Sequence, residues 1–345
     1  MIRSWVKTAA ASVMSRTGLD KFAGSLAGAK GVPLVIGYHR VVEDFESSAK
    51  TSIPSMLVSR SMLEQHLDWI GRRFRFISLD ELGARLEGRD GRKDPVAAIT
   101  FDDGYRDFYD QALPVLKKKG VPAAVFVVTD LVGTKSVQVH DKIYLLLGSR
   151  FTTDRDAPAR YRATRRLLET LPQAEIKKVI QTLESELPVP EDTYRPFYSL
   201  TWEMLQDIRR AGITVGSHTQ THVLMTNESR ERIKEEVAES RLRIERKLGT
   251  AVRHFAYPSG QFNTTTVDAV AGAGYRFAYT TCTHRDAVFP LLTVPRTLLW
   301  ENSCQDSRGM FSESMMSCQS HRAFDLVSGC RQRHRASQEN GYDRL

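Results

Sequence analysis

The sequence lacks the cysteine patterns of disulfide-rich proteins and of zinc ribbons. Its four cysteines, Cys282, Cys304, Cys318 and Cys330, all lie in the last quarter of the 345 residues. No two of them form a Cys-x-x-Cys pair, which argues against a zinc ribbon and a thioredoxin-like site. No disulfide framework spans such a chain, and a chain of this length buries a stable core without one.

Long apolar runs and clustered charge of one sign are also absent. No stretch approaches the ~20 consecutive apolar residues of a transmembrane helix. The 49 Lys and Arg exceed the 41 Asp and Glu, for a net charge of +8, but the excess is spread along the chain. Since no nucleic-acid-binding motif accompanies it, we expect a generally basic surface and no nucleic acid partner.

Residues 1–32 resemble a signal peptide only weakly, because their apolar part is short and no clear cleavage site follows. As a helix the segment is amphipathic, with Trp5, Ala9, Val13 and Phe22 on one side. Two interpretations stay open, a helix packed on the domain and a peripheral membrane helix. We expect the protein in the cytoplasm or at the inner face of the membrane, with secretion as the alternative.

From residue 33 to residue 300, short apolar runs alternate with helical segments, as in α/β folds. Several runs are apolar almost throughout, which is typical of strands covered by helices. The predicted strands are 33–39, 74–79, 96–103, 123–130, 213–218, 254–258, 277–281 and 293–299. Residues 131–200 interrupt the alternation and predict a helical insertion, which either shapes the mouth of a site or is decoration. Residues 301–345 predict a poorly ordered tail or a small appendage.

Three short motifs follow predicted strands, at the edge where α/β barrels gather their active sites. TFDDGY at 100–105 ends an apolar strand with two carboxylates, a costly arrangement unless they are paired or bound to metal. SHTQTH at 217–222 carries two histidines that can bind one ion if the segment turns into a helix after His218. FAYPSG at 255–260 is a strand that enters a tight turn.

Each motif alone has an ordinary explanation, since Asp-Asp-Gly is common in turns and isolated histidine pairs are often capping or surface groups. Together the motifs provide one carboxylate and two imidazoles, the ligand set of a catalytic divalent site with open positions for water. The second carboxylate is then available as a general base.

In this order the three motifs resemble those of the polysaccharide deacetylases, the NodB-homology superfamily or carbohydrate esterase family four. VIGYHRV at 35–41 and TVPRTL at 293–298 resemble the branch that acts on exopolysaccharides. The resemblance covers residues 33–300. It implies a distorted (β/α)7-type barrel and metal-dependent removal of acetyl groups from N-acetylated sugars of a polysaccharide.

The resemblance also implies a role for individual residues. It assigns the metal to Asp103, His218 and His222, the catalytic base to Asp102, and the oxyanion and substrate contacts to Tyr257, Pro258 and the backbone N–H of Ser259. The expected metal is Zn²⁺, with Co²⁺, Ni²⁺ or Mn²⁺ as alternatives.

Two departures from the family pattern leave roles to fill. Many members place an arginine two residues before the proline of the third motif, where this chain has Ala256. Arg296 is the candidate to hold Asp102 instead, with a surface salt bridge as the alternative. Many members also use a late histidine as the general acid, and here His39 is the candidate, with a structural histidine as the alternative.

The leading interpretation is a metal-dependent polysaccharide N-deacetylase. One alternative is an amidohydrolase of the same fold acting on a small amide, which predicts a closed pocket. Another is a glycan-binding protein without turnover. An enzyme acting on a polymer predicts an open groove with aromatic platforms, for which Tyr105, Tyr257 and Trp300 are candidates.

Overall fold

The fold is built on parallel strands whose carboxyl ends lie at one edge. The computed structural model describes residues 2–26, 33–92, 94–149, 157–187 and 189–325. In chain order the strands are β1 Leu34–Tyr38, β2 Arg40–Val42, β3 Leu57–Ser59, β4 Arg75–Phe76, β5 Val96–Phe101, β6 Ala123–Val127, β7 Thr214–Ser217, β8 His254–Ala256, β9 Phe277–Thr280, β10 Val294–Pro295 and β11 Thr297–Leu298. β2 pairs with β3, and the others form one sheet in the order β10-β9-β8-β7-β6-β5-β1-β11, with β4 beside β5.

The two ends of the large sheet meet in one short segment. β10 pairs with β9 and β11 pairs with β1, yet only Arg296 separates β10 from β11. The sheet is therefore nearly closed, which confirms the α/β fold with a distorted barrel. The single strand predicted over 293–299 is wrong, because the chain crosses from one edge to the other at Arg296, whose backbone N–H donates to Thr280.

Helices alternate with the strands and cover the sheet. They include α4 Arg60–Gly71, α5 Leu79–Leu86, α6 Leu113–Lys119, α10 Trp202–Arg210, α11 Arg230–Leu248 and α12 Thr264–Gly272; the short α3 Phe45–Ala49 precedes them. β5 and β6 are buried along their whole length, as expected for strands covered on both faces. The main core joins them to buried apolar side chains of the helices, such as Leu63, Leu67 and Ile70.

The predicted helical insertion is present and has a small core of its own. It comprises α7 Val139–Gly148, α8 Ala157–Thr170 and α9 Gln173–Glu186. Ile143 and Leu146 of α7 pack with Ile176 and Ile180 of α9 in a cluster separate from that of the barrel. The insertion is thus a folded unit set on the barrel.

Residues 301–325 form a small appendage, so the alternative of a poorly ordered tail is wrong for this part of the segment. They include α13 Glu313–Ser320, which packs on two N-terminal helices, α1 Ile2–Thr17 and α2 Leu19–Leu26. Met315 and Cys318 of α13 are buried there with Ala11 and Ala23. These apolar side chains are too few to stand out in a stretch rich in Ser, Gln and Arg, which explains why the sequence leaves both interpretations open. Residues 326–345, with Cys330, lie outside the described residues.

A membrane-spanning helix is not found in the part of the chain that the structure describes, since none of its helices combines the necessary length and apolar character.

Candidate metal centre

The first and second motifs meet because their strands are separated by only one neighbour. β5 and β7 both pair with β6 in parallel, so Asp102 and Asp103 after β5 lie at the same edge as His218 after β7. Asp103 (φ 69°) and Gly104 (φ 66°) are left-handed, which turns the chain sharply after the strand. A Cβ at Gly104 would lie 2.9 Å from Val127 Cγ1, so glycine is needed for this turn.

Asp103, His218 and His222 converge at this edge. The Nε2 atoms of His222 and His218 lie 3.1 Å and 3.4 Å from Asp103 Oδ1. One ligand atom from each of the three residues lies within 4.8 Å of the others, and no second such group of three occurs in the described ranges. The predicted convergence of these three side chains is therefore present.

The conformation expected after His218 is wrong. The segment 218–222 is a loop and not a helix, with left-handed Thr219 (φ 67°) and His222 (φ 60°). Thr219 Oγ1 accepts a hydrogen bond of 2.9 Å from the backbone N–H of His222 and fixes the loop. The two imidazoles thus reach one point by a tight turn, without helical spacing.

The protonation of these groups fits a bound cation. His218 Nδ1 lies 2.7 Å from the carbonyl oxygen of Ala256, which can only accept, so Nδ1 carries a hydrogen and Nε2 is directed at Asp103. Both carboxylate oxygens of Asp103 are buried without a hydrogen-bond donor among the described residues. Burial raises the pKa of Asp103, but His222 and His218 lower it further, so it lies well below its usual value. An ionised carboxylate beside two imidazole nitrogens, which give up any proton when they bind a metal, suits a divalent cation.

Arg296 holds Asp102 from the other flank of β5, because only β1 separates β5 from β11. Its Nη1 and Nη2 donate to Asp102 Oδ1 and Oδ2, each at 2.7 Å, and Nη1 also donates to Thr100 Oγ1 at 3.0 Å. The Arg296 side chain is fully buried, so the alternative of a surface salt bridge is wrong and the predicted contact is present. Burial raises the pKa of Asp102, but Arg296 and, to a smaller extent, His218 lower it, leaving it below its usual value.

His39 lies at the same edge, directly after β1, and lines the cavity described below. Its Nδ1 is buried without a hydrogen-bond partner in the described part of the chain. Burial lowers the pKa of His39, and the negative charges of Asp103 and Asp102 only partly oppose this. Its role as general acid stays a prediction.

The third motif is placed as predicted only in part. Pro258 and Ser259 line the cavity, and the left-handed Ser259 (φ 55°) is exposed there. Tyr257 does not line it: its side chain is fully buried and packs against Phe255 and Phe262. The prediction of a substrate contact from the Tyr257 side chain is therefore wrong, because the residue is buried in the core between the sheet and its covering helices.

The predicted aromatic platforms for a sugar are also present only in part. Tyr105 is 1% exposed and belongs to the interior. Trp300 is half-buried and lines the cavity, so it alone of the three candidates faces the space above the site.

A large cavity of about 1170 Å³ lies over the metal ligands. The barrel provides its base through His39, Asp103, His218 and His222. The insertion provides much of its wall through Tyr161, Thr164, Leu168, Gln173 and Ile176. Of the two interpretations of the insertion, shaping the mouth of the site is therefore correct.

Sequence reasoning missed a buried group that touches the ligands. His140, on the first turn of α7, places Nε2 3.9 Å from Asp103 Oδ2, and its ring lies 5.2 Å from that of His222. The hydroxyl of Tyr105 donates to Asp141 Oδ2 at 2.6 Å and lies 2.8 Å from His140 Nε2. Since that hydroxyl gives its hydrogen to Asp141, it accepts from His140. The adjacent His-Asp pair at 140–141 was the signal available in the sequence.

We predict that this group supports metal binding. His140→Gln and Tyr105→Phe should each weaken the binding of Zn²⁺ or Co²⁺, by less than the ~10–100-fold that groups hydrogen-bonded to a metal ligand contribute, because His140 Nε2 stays 3.9 Å from Asp103 Oδ2. Tyr144→Phe is the matched control: Tyr144 is as deeply buried on α7, and its hydroxyl has no hydrogen-bond partner in the described residues. Titration calorimetry measures the affinities. Equal affinities for all three variants and the unaltered chain would contradict the prediction.

Comparison with known proteins identifies the family. The model of the polysaccharide deacetylase family matches residues 89–278, more than half of the chain. The Bacillus subtilis protein YxkH, which carries a provisional polysaccharide deacetylase name, is 22% identical over 228 residues, 66% of this chain and 60% of that one. The poly-beta-1,6-N-acetyl-D-glucosamine N-deacetylase of Staphylococcus aureus strain MSSA476 is 32% identical over 120 residues. That alignment covers 32% of this chain and 40% of the relative.

Solved structures agree on the fold. IcaB from Ammonifex degensii superposes with a TM-score of 0.55 at 21% identity, covering 84% of this chain and 97% of that one. The Streptococcus pyogenes deacetylase PplD, in complex with acetate, superposes with a TM-score of 0.53 at 20% identity, covering 79% and 93%. At such identities the likeness concerns the fold alone. With the family match, the motifs and the barrel in agreement, the chain belongs to the polysaccharide deacetylase family.

Proposed function

We propose that this protein is a metal-dependent N-deacetylase that hydrolyses the acetamide of N-acetylated sugars in a polysaccharide. One observation carries the proposal: Asp102, held by Arg296 through two hydrogen bonds, stands next to Asp103 in a site that gathers His218 and His222. The name of the Staphylococcus aureus relative, an N-deacetylase of a poly-N-acetylglucosamine, supports this substrate class.

Asp103, His218 and His222 would hold the cation, and we propose Zn²⁺, with Co²⁺, Ni²⁺ or Mn²⁺ as alternatives. One carboxylate and two neutral imidazoles suit these metals and leave positions open. A divalent cation in such a site supplies Lewis-acid polarisation of the amide carbonyl and a lowered pKa for water.

The chain's own residues would move the protons. Asp102 accepts the proton of the water that attacks the carbonyl carbon. Arg296 occupies one lone pair on each carboxylate oxygen, which leaves others free for that proton. The backbone N–H of Ser259 stabilises the negative charge that develops on the carbonyl oxygen. The C–N bond then breaks, and His39, which its lowered pKa leaves neutral, relays the proton that Asp102 accepted to the departing amine.

The size of the cavity favours a glycan over a small amide. Its volume of about 1170 Å³ exceeds the ~300–1,000 Å³ usual for small-molecule sites. Trp300 offers one apolar face for a sugar ring. A role in glycan binding alone would not require the buried Asp102–Arg296 pair. For location, we propose the cytoplasm or the inner face of the membrane, as the sequence suggested.

Acetate release tests the proposal. The chain is stripped of metal with a chelator and incubated with N-acetylglucosamine oligomers, with and without added Zn²⁺ or Co²⁺. We expect acetate release only with metal, and faster release from oligomers than from the monosaccharide. Release from small acetamides alone would favour the small-amide alternative. Saturable oligomer binding without acetate would favour the binding protein.

A further inference from the structure

We propose that the outward face of α1 and α2 docks on an anionic lipid bilayer, a property that goes beyond deacetylation. This N-terminal face carries five large apolar side chains that are 49–65% exposed: Trp5, Val6, Val13, Leu19 and Phe22. Nine large apolar side chains are exposed in the described residues, so five of the nine lie within this one stretch. Exposed apolar side chains concentrated in this way mark an interaction site.

The orientation of α1 is fixed with its larger apolar side chains outward. At about 100° per residue, Trp5, Val6 and Val13 fall within an arc of about 100°. Ala11, on the opposite side, is fully buried against α13. The helix thus buries alanine and exposes tryptophan and valine, the reverse of a helix that is only packed on a domain.

α2 is held in the same way. Asp20 is buried and accepts a hydrogen bond from Ser317 of α13. A Cβ at Gly24 would lie 2.0 Å from the carbonyl oxygen of His321, so the two backbones are in direct contact at this point. Because these contacts prevent α2 from rotating, Phe22 stays on the outside.

The charges beside the apolar residues select the partner. Among the described side chains of α1 and α2, the exposed charged ones are Lys7, Arg16 and Lys21, all basic; Arg16 falls within the arc of Trp5 and Val13, whereas Lys7 lies at the edge of the packed side, over the ring of Phe324. Asp20 is the acidic one, and it is 1% exposed. Tryptophan and phenylalanine flanked by basic residues are typical of helices that lie in the headgroup region of anionic membranes. A second copy of the chain fits less well, since a two-fold contact would bring the same basic groups together.

Vesicle sedimentation of the full chain tests the proposal. We expect binding to mixed phosphatidylcholine–phosphatidylglycerol vesicles and much weaker binding to phosphatidylcholine alone. The double variant Trp5→Ser/Phe22→Ser should bind the mixed vesicles at least about tenfold more weakly, because it removes the two largest apolar contacts. The control is Leu242→Ser, which alters an exposed leucine on α11 of the barrel and should bind unchanged.

The basic residues are tested separately. Lys7→Gln/Arg16→Gln/Lys21→Gln should abolish the preference for phosphatidylglycerol, since each basic group contributes on the order of fivefold to binding near an anionic surface. Acetate release from soluble oligomers should be the same for all variants, so failure here is distinguishable from failure of the proposed function. Absence of vesicle binding, or equal binding by the Trp5/Phe22 variant, would overturn the proposal. A dimer in light scattering that this variant dissociates, without vesicle binding, would assign the face to a second copy.

Discussion

Asp102→Asn is expected to lower the rate of deacetylation about 10²–10⁴-fold while the protein keeps its metal. The factor is that of a lost general base. Metal should be retained because the three atoms that converge belong to Asp103, His218 and His222, and Asp102 is outside that group. Initial rates of acetate release and metal content by atomic absorption, both per folded protein, measure the two effects.

The neighbouring carboxylate provides the control. Asp103→Asn removes the charge and one ligand oxygen, so it should lose metal as well as activity, and excess metal should restore part of the activity. Asp102→Asn should stay inactive at every metal concentration. The Asn side chain keeps one acceptor oxygen for Arg296 but lacks the negative charge and the second oxygen. We therefore expect a loss in the free energy of unfolding that approaches the ~3–5 kcal/mol of a broken buried ion pair. Loss of metal from Asp102→Asn with retention by Asp103→Asn would reverse the two assignments.

The approach of the Asp102–Asp103 pair to His218 could be predicted from parallel strands, whereas the choice of Asp103 as the residue facing the histidines came from the family resemblance. Carboxyl ends of parallel strands meet at one edge, and each of these residues directly follows a buried strand. The path from His218 to His222 could not be predicted, since the loop depends on two left-handed residues, neither of them glycine. Such conformations are rare and are stabilised by local contacts, here the hydrogen bond between Thr219 and His222.

The position of His140, which the insertion places beside Asp103, could not be predicted from the sequence for a different reason. His140 is 37 residues from Asp103 in the chain and reaches it only because α7 packs over the barrel edge. The pairing of Arg296 with Asp102 spans 194 residues, yet it is one of the two interpretations that the sequence leaves open for Arg296, because the absence of the family arginine leaves a carboxylate that needs a partner. A missing partner can be read from a sequence, whereas packing between two folded units cannot.

Removing the positive charge of Arg296 is expected to change both stability and the pH dependence of catalysis. Arg296→Met leaves the buried carboxylate of Asp102 unpaired, and breaking a buried ion pair typically costs about 3–5 kcal/mol in the free energy of unfolding. Catalysis per folded protein should fall by about 10²-fold if Arg296 also orients Asp102. Arg296→Lys keeps the charge but not the two parallel hydrogen bonds. Its stability and its rate of catalysis should therefore lie between those of Arg296→Met and those of the unaltered chain.

The sign of the pH effect separates a positioning role from a merely structural one. In the unaltered chain the pKa of Asp102 lies below its usual value. The Asp102–Arg296 pair therefore contributes its full stabilisation above the pKa of the unfolded carboxyl, and that stabilisation is lost as the pH falls through the pKa of the folded protein. Without Arg296, burial dominates and raises the pKa. The acidic limb of the rate profile should then move to higher pH, and the deficit in Tm should shrink as the pH is lowered, because a protonated Asp102 carries no buried charge. Thermal unfolding between pH 4 and pH 8, with kcat/KM over the same range, measures both. A deficit in Tm that is independent of pH, with an unmoved acidic limb, would show that Arg296 acts only in packing and leaves the ionisation of Asp102 to other groups.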